Sequence, residues 1–309
     1  MALFSFVNVQ AYDLVKPSSS LRLYPEGQDT DRGIVEKGVA VTSGPVESNG
    51  AQGPAVLKPN GDFSNIGDEA RIDIYLPKKC NGQMIVVCPG GAYRFCSSYN
   101  EGTRVADWCI KRNIAVCVLL YRMPYGHGKV PLTDVQNAFR YCRHHADEWG
   151  VKQIGVMGFS AGGHLAASAS TLFVDDVTRP DFSVLVYPVI SMETGVTHDE
   201  TRRNITGGRR SLEPYYSLEN QVSEKTPEAL LLLCADDRAV PPENSIRYYR
   251  MMQKYGIPGE LHILEKGGHG WGFSITEYGC DDKLGEARRA DFFSTLERWL
   301  NSQAAKIEK

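Results

Sequence analysis

Ser160 in Gly158-Phe159-Ser160-Ala161-Gly162, a pair of aspartates at Asp236 and Asp237, and His269 in Gly267-Gly268-His269-Gly270 follow one another along this 309-residue chain. Serine is a weak nucleophile until a base takes its proton, and an imidazole can act as that base when a third group fixes its tautomer. Serine, then acid, then histidine is one of the chain orders in which such groups assemble. The chemistry this would support is acyl transfer through a covalent serine intermediate.

Each candidate stands where an element would have to present it. Ile154 to Met157 reads as a short buried strand and Gly163 to Leu172 as an Ala-rich helix, so Ser160 sits on a strand-to-helix turn. A serine on so sharp a turn has close neighbours, and its flanks must lack bulk. Leu230 to Cys234 is a buried strand, and the aspartates follow it at once. Asp237 is the preferred acid of the two because it opens an Asp-x-x-Val-Pro pattern, whereas Asp236 could cap the turn; both could instead satisfy turn amides. His269 follows the strand-like run Glu260 to Leu264 and lies among three glycines, in an exposed loop suited to a proton shuttle. His127, His144, His145, His198 and His262 do not fit the order. His164, four residues after the serine, reads as packing or polar support beneath the turn.

Acyl transfer also needs donors aimed at the developing oxyanion. Val86 to Tyr93 contains a glycine-rich turn after an early strand, so the backbone amides of Gly91 and Ala92 are candidates, completed by the amide of Ala161. A plain strand-to-helix turn is the alternative.

The elements around these turns alternate. Arg71 to Leu76 and Met84 to Cys88 read as strands, Thr103 to Lys111 as a helix, Ile114 to Leu120 as a strand and Thr133 to Glu148 as a helix. Ser183 to Tyr187 and Ala229 to Cys234 read as strands, Glu243 to Tyr255 and Leu284 to Leu300 as helices. This predicts an α/β fold with a mostly parallel central sheet and helices on both faces, spanning residues 70–309. Residues 1–69 read as an irregular lead-in, and 26–69 are rich in Gly, Pro, Ser, Asn and Asp. The stretch 188–227 breaks the rhythm, either as a lid or pocket insertion or as a surface excursion.

Composition narrows the partners. A formal net charge of -3 gives no reason to expect nucleic acid or an anionic membrane. No apolar run approaches the roughly 18 residues that span a bilayer, so the chain reads as soluble. Cys88, Cys117 and Cys234 fall in apolar runs, as buried free thiols do, and no metal-spaced cluster appears; neither metal nor cofactor is expected. Residues 1–11 resemble the end of an export signal without its basic start. A signal remnant there would mean a periplasmic or secreted protein, and an ordinary N-terminal strand a cytoplasmic one.

Pro89-Gly90-Gly91-Ala92-Tyr93, Tyr121-Arg122-Met123-Pro124, Gly158 to His164, Val240 to Ser245 and Gly267 to Gly270 together resemble the α/β-hydrolase superfamily. More narrowly they look like its serine-esterase branch that includes carbohydrate acetyl esterases such as acetylxylan esterases. The likeness runs from about Leu21 to Leu300. Pro89 replaces the histidine of the lipase pattern and Ala92 its last glycine, changes that leave backbone donors in place. The resemblance implies an esterase removing small acyl groups from plant cell-wall carbohydrate, with Ser160 as nucleophile, His269 as base and Asp237 as the acid. It makes a small acylated carbohydrate the partner. Tyr93, Arg94 and Trp271 flank these loops and could line the pocket or simply pack. An arylformamidase or peptidase of the same fold, or a binding protein without activity, are the competing readings; the absence of a propeller or other large accessory domain speaks against the peptidase, and the complete residue set against the binding protein.

Overall fold

Runs of valine, isoleucine and leucine that are apolar on both faces of a strand need cover on both sides, and this need organises the chain. The computed structural model describes residues 14–24, 70–273 and 284–307. The strands β3 (Gln83–Cys88), β4 (Ala115–Leu120), β6 (Ser183–Val186) and β7 (Ala229–Cys234) are buried at every residue. β5 (Gln153–Phe159) is buried from Ile154 onward. β8 (Gly259–Leu264), at one edge, is half-exposed along its length.

The sheet has eight strands in the order β1-β2-β4-β3-β5-β6-β7-β8. From β4 to β8 all neighbours run parallel, while β2 (Arg71–Tyr75) pairs antiparallel with both β1 and β4. β1 (Ser19–Arg22) lies within the segment expected to be an irregular lead-in, and it sets Leu21 against Ile72. Four residues of alternating partial burial are too short to show a period, which is why this edge strand escaped the sequence reading. The signal-like stretch 1–11 and residues 26–69 lie outside the described residues.

Helices α1 (Arg104–Ile110) and α7 (Glu286–Ala304) pack on one another through Trp108 stacked on Phe293, with ring centroids 5.7 Å apart. α2 (Lys129–His145) packs on α3 (Ser160–Thr171), and α6 (Glu243–Lys254) follows β7. α3 begins at Ser160 itself, three residues earlier than the alanine-rich run indicated. Among the described residues no helix is long and apolar enough to cross a membrane. Register brings the strand ends level: Cys88 pairs with Gly158, Val186 with Leu232 and Cys234 with Leu264. The turns leaving β3, β5, β7 and β8 therefore emerge along one edge of the sheet.

Buried polar ties hold these turns. Asp134 of α2, fully buried, accepts from the backbone amide and the guanidinium of Arg122 just after β4. His164, also fully buried, lies one turn into α3. The Tyr216 carbonyl can only accept, so His164 Nε2–H donates to it at 2.8 Å and Nδ1 accepts from the Tyr93 hydroxyl at 2.9 Å. Burial of this neutral ring pushes its pKa down to about 4 from 6.5.

The unfolded chain protonates His164 near its ordinary value, whereas the folded one resists until about pH 4. Its contribution is thus present above pH 6.5 and is lost as pH falls towards 4, about 3 kcal/mol at most. Urea unfolding from pH 7.5 down to 4.5 should show a steeper loss of stability for the wild type than for His164→Gln, by close to one bound proton. Equal slopes would contradict this account of the buried ring.

Candidate active site

Ser160 has φ of +53°, a left-handed conformation that non-glycine residues seldom adopt. The strain follows from packing at the β5–α3 junction. A Cβ on Gly158 would stand 2.6 Å from the Ala166 methyl group, and one on Gly162 would run into the carbonyl oxygens of Cys88 and Pro89. Only glycine lets α3 press this closely against both its own strand and the turn after β3.

The histidine reaches that serine from β8's end of the sheet. His269 Nε2 lies 2.8 Å from Ser160 Oγ, and Nδ1 lies 2.7 Å from Asp237 Oδ2. With the carboxylate as acceptor, the proton sits on Nδ1 and Nε2 is left to accept from the serine hydroxyl. Asp237 is 4% exposed, and its other oxygen accepts the amides of Ala239 and Val240, each at 2.9 Å. Asp236 reaches across to the neighbouring loop. It accepts the Gly268 amide at 2.8 Å and so fastens the histidine loop.

The turn after β3 is held through its carbonyls. Tyr121 donates to the Pro89 carbonyl, the Ser97 amide to that of Gly90, the Arg94 amide to that of Gly91 and the Asn204 side chain to that of Ala92. Ala92 and Tyr93 take φ of +56° and +58°. Ala161 belongs to the first turn of α3, whose amides have no carbonyl within the helix and carry the positive end of its dipole. Gly91 and Ala92 line the same cleft as Ser160 and His269.

That cleft has a volume of about 240 Å³, and Arg94, Phe95, Glu101, His198 and Glu200 are among its walls. Arg94 pairs with Glu200 at 2.9 Å across the rim. Both side chains are about one-third exposed, so the pair shapes the opening more than it stabilises the fold. His198 and Glu200 come from the segment 188–227, at the start of α4 (Asp199–Thr206). Burial, and to a lesser degree the nearby His269, lowers the His198 pKa. The motif order set His198 aside; the break in the strand–helix rhythm was the signal that pointed to this segment.

Two of the three expected wall residues belong elsewhere. Tyr93 is 2% exposed and turns inward to His164, while Trp271 is fully buried, edge-on to Tyr187 and Phe292 at centroid distances of 4.8 and 4.9 Å. Both are large aromatic rings next to the loops of the cleft, and packing beneath those loops took them out of it. Among the described residues no group of three His, Cys, Asp or Glu side chains is gathered to hold a metal ion.

The BD-FAE family model matches residues 72–183, from β2 through α3 to the start of β6. An acetylxylan esterase of Xylanibacter ruminicola is 38% identical over 254 residues, which cover 79% of this chain and 51% of that protein. Endo-1,4-beta-xylanase B of Butyrivibrio fibrisolvens is 34% identical over 205 residues, 60% of this chain and 32% of the relative. The chain thus spans about half of the length of the first of these curated relatives and about a third of the second. The solved acetyl ester-xyloside bifunctional hydrolase of Caldicellulosiruptor lactoaceticus superposes with a TM-score of 0.70 at 28% identity, over 94% of this chain and 98% of that one. Agreement over nearly the whole length of both chains extends to the parallel sheet that carries these turns, so the chain has the α/β-hydrolase fold and is similar to carbohydrate esterases.

Proposed function

We propose that this protein is a serine carboxylic ester hydrolase that removes acetyl or other small acyl groups from hemicellulose-type carbohydrate. The observation that carries this reading is the hydrogen-bonded series from Ser160 Oγ through His269 to Asp237, beside the Gly91 and Ala92 turn. The acylated carbohydrate follows from the acetylxylan esterase and acetyl ester-xyloside hydrolase to which the chain is similar.

In this reading Ser160 Oγ attacks the ester carbonyl carbon as its proton passes to His269 Nε2. The carbonyl oxygen becomes an oxyanion facing the amides of Gly91, Ala92 and Ala161. Collapse of the tetrahedral adduct breaks the carbon–oxygen bond to the sugar, and His269 returns the proton to the leaving alkoxide. Water then enters, gives a proton to His269 and attacks the acyl-enzyme carbon; the second collapse releases the free acid and restores Ser160. Asp237 orients the imidazole and stabilises its cation in both halves.

Acetate release from defined acetylated xylo-oligosaccharides, run beside 4-nitrophenyl acetate and a panel of amide and formamide substrates, tests the reaction. Wild-type protein should turn over the esters, and Ser160→Ala should lose this turnover while folding normally. Turnover of the amide or formamide alone would move the protein to another chemistry of the same fold. The two adjacent aspartates should separate in the same assay. Asp237→Asn, which disturbs the tautomer of His269, should lower kcat by about 10³-fold or more. Asp236→Asn, which keeps an acceptor for Gly268, should stay within about tenfold of wild type. The reverse ranking would transfer the acid role to Asp236.

A further inference from the structure

Glu101 is a carboxylate only 4% exposed, on the π-helical turn Tyr99–Thr103 that leads into α1. Each of its oxygens serves a different loop. Oε2 accepts the Gly90 amide at 2.6 Å, and Oε1 accepts the Tyr187 hydroxyl at 2.7 Å. That hydroxyl oxygen in turn accepts the Gly272 amide at 2.8 Å, three residues beyond His269. Tyr187 follows β6 with a left-handed φ of +36°, and its ring centroid is 4.8 Å from that of His269. One side chain therefore connects the turn bearing Gly91 and Ala92 to the loop bearing His269, by way of the residue against which the imidazole rests.

The contact is close as well as polar. A Cβ on Gly272 would fall 3.1 Å from Glu101 Cγ, so the histidine loop lies directly on the Glu101 turn. Gly90 follows Pro89, which has no amide to donate, so the Glu101 bond to the Gly90 amide is the first amide tie that the turn makes after β3. It fixes the peptide plane that precedes Gly91 and Ala92, which line the cleft. A negative charge so near a developing oxyanion would oppose it by Coulomb's law, so the benefit assigned to Glu101 is one of geometry, carried by its bonds to the Gly90 amide and the Tyr187 hydroxyl.

We infer that Glu101 is a positioning residue, which through Gly90 and Tyr187 holds the Gly91–Ala92 turn and the His269 loop in register across the cleft. The inference rests on the ester-hydrolase reading for its effect on rate, but not for its effect on the position of His269.

Two measurements on the full chain test it, with thermal unfolding to establish that each variant folds. For 4-nitrophenyl acetate, Glu101→Ala should lower kcat by about ten- to a hundredfold with KM within about twofold of wild type, the pattern of lost transition-state alignment. Tyr187→Phe should lower kcat in the same way. The double variant should lose much less than the product of the two single losses, because both cut one chain of hydrogen bonds. Glu101→Gln keeps an acceptor for the Gly90 amide and should restore part of the rate. By proton NMR, the Nδ1–H resonance of His269 should shift in Glu101→Ala and Tyr187→Phe. A folded Glu101→Ala variant with wild-type kcat and an unmoved His269 resonance would overturn the inference, as would multiplicative losses in the double variant. Should Ser160→Ala retain full turnover while Glu101→Ala still moves the His269 resonance, the hydrolase reading fails and the positioning role stands.

Discussion

The close approach of α3 to the turn after β3 is the constraint on which the rest of the site depends. Gly158 and Gly162 remove the side chains that would keep the helix away, and Ser160 absorbs the geometry with a left-handed backbone. A conformation of that kind costs on the order of 1–3 kcal/mol and persists only where surrounding contacts overdetermine it. Those contacts are present: Val189 donates to the Ser160 carbonyl, Phe159 is fully buried, and His164 locks the first turn of α3 to the loops above it. The strain therefore falls on a residue whose hydroxyl is thereby set at the edge of the sheet, where the other loops converge.

Around this junction, hydrogen-bonded polar groups do the aligning. Asp236 and Asp237 act as a pair with divided roles, one fastening the Gly268 amide and the other facing the imidazole. Tyr121, Ser97 and Asn204 occupy carbonyls of the turn after β3, and its Gly91 and Ala92 line the cleft. Polar groups paired in this way hold the loops around the cleft in fixed relation, which suits the acyl-transfer reading proposed above. The rim is built differently. Arg94 and Glu200 meet in partly solvated surroundings, so this part of the cleft can vary in shape at little expense to the fold.

Much of this was legible along the chain. The strands β3 to β8 follow from apolar runs, and the turns carrying Ser160, Asp237, His269 and Gly91–Ala92 follow from glycines and polar residues placed directly after those strands. The structure brings Ser160, His269, Gly91 and Ala92 to one cleft and sets Asp237 behind His269. The short edge strand β1 was not legible, because four half-buried residues leave no period. Nor could the fates of Tyr93 and Trp271 be told: an aromatic ring beside a reactive loop reads the same whether it faces the cleft or the core. His198 and Glu101 were missed because neither stands in a spacing that links it to the serine.

By itself the sequence determined the alternation of strands and helices, the elbow around Ser160 and the order of the groups that could act with it. Those are local properties, since period, turn chemistry and chain order are carried by neighbours in sequence. Only the tertiary structure decided which aspartate faces His269, which aromatic rings are core, and that a glutamate from the turn before α1 meets the amide of Gly90 and the hydroxyl of Tyr187. Each of these depends on which turns a level parallel sheet brings to the same edge, and on side-chain directions set by packing between segments far apart in the chain.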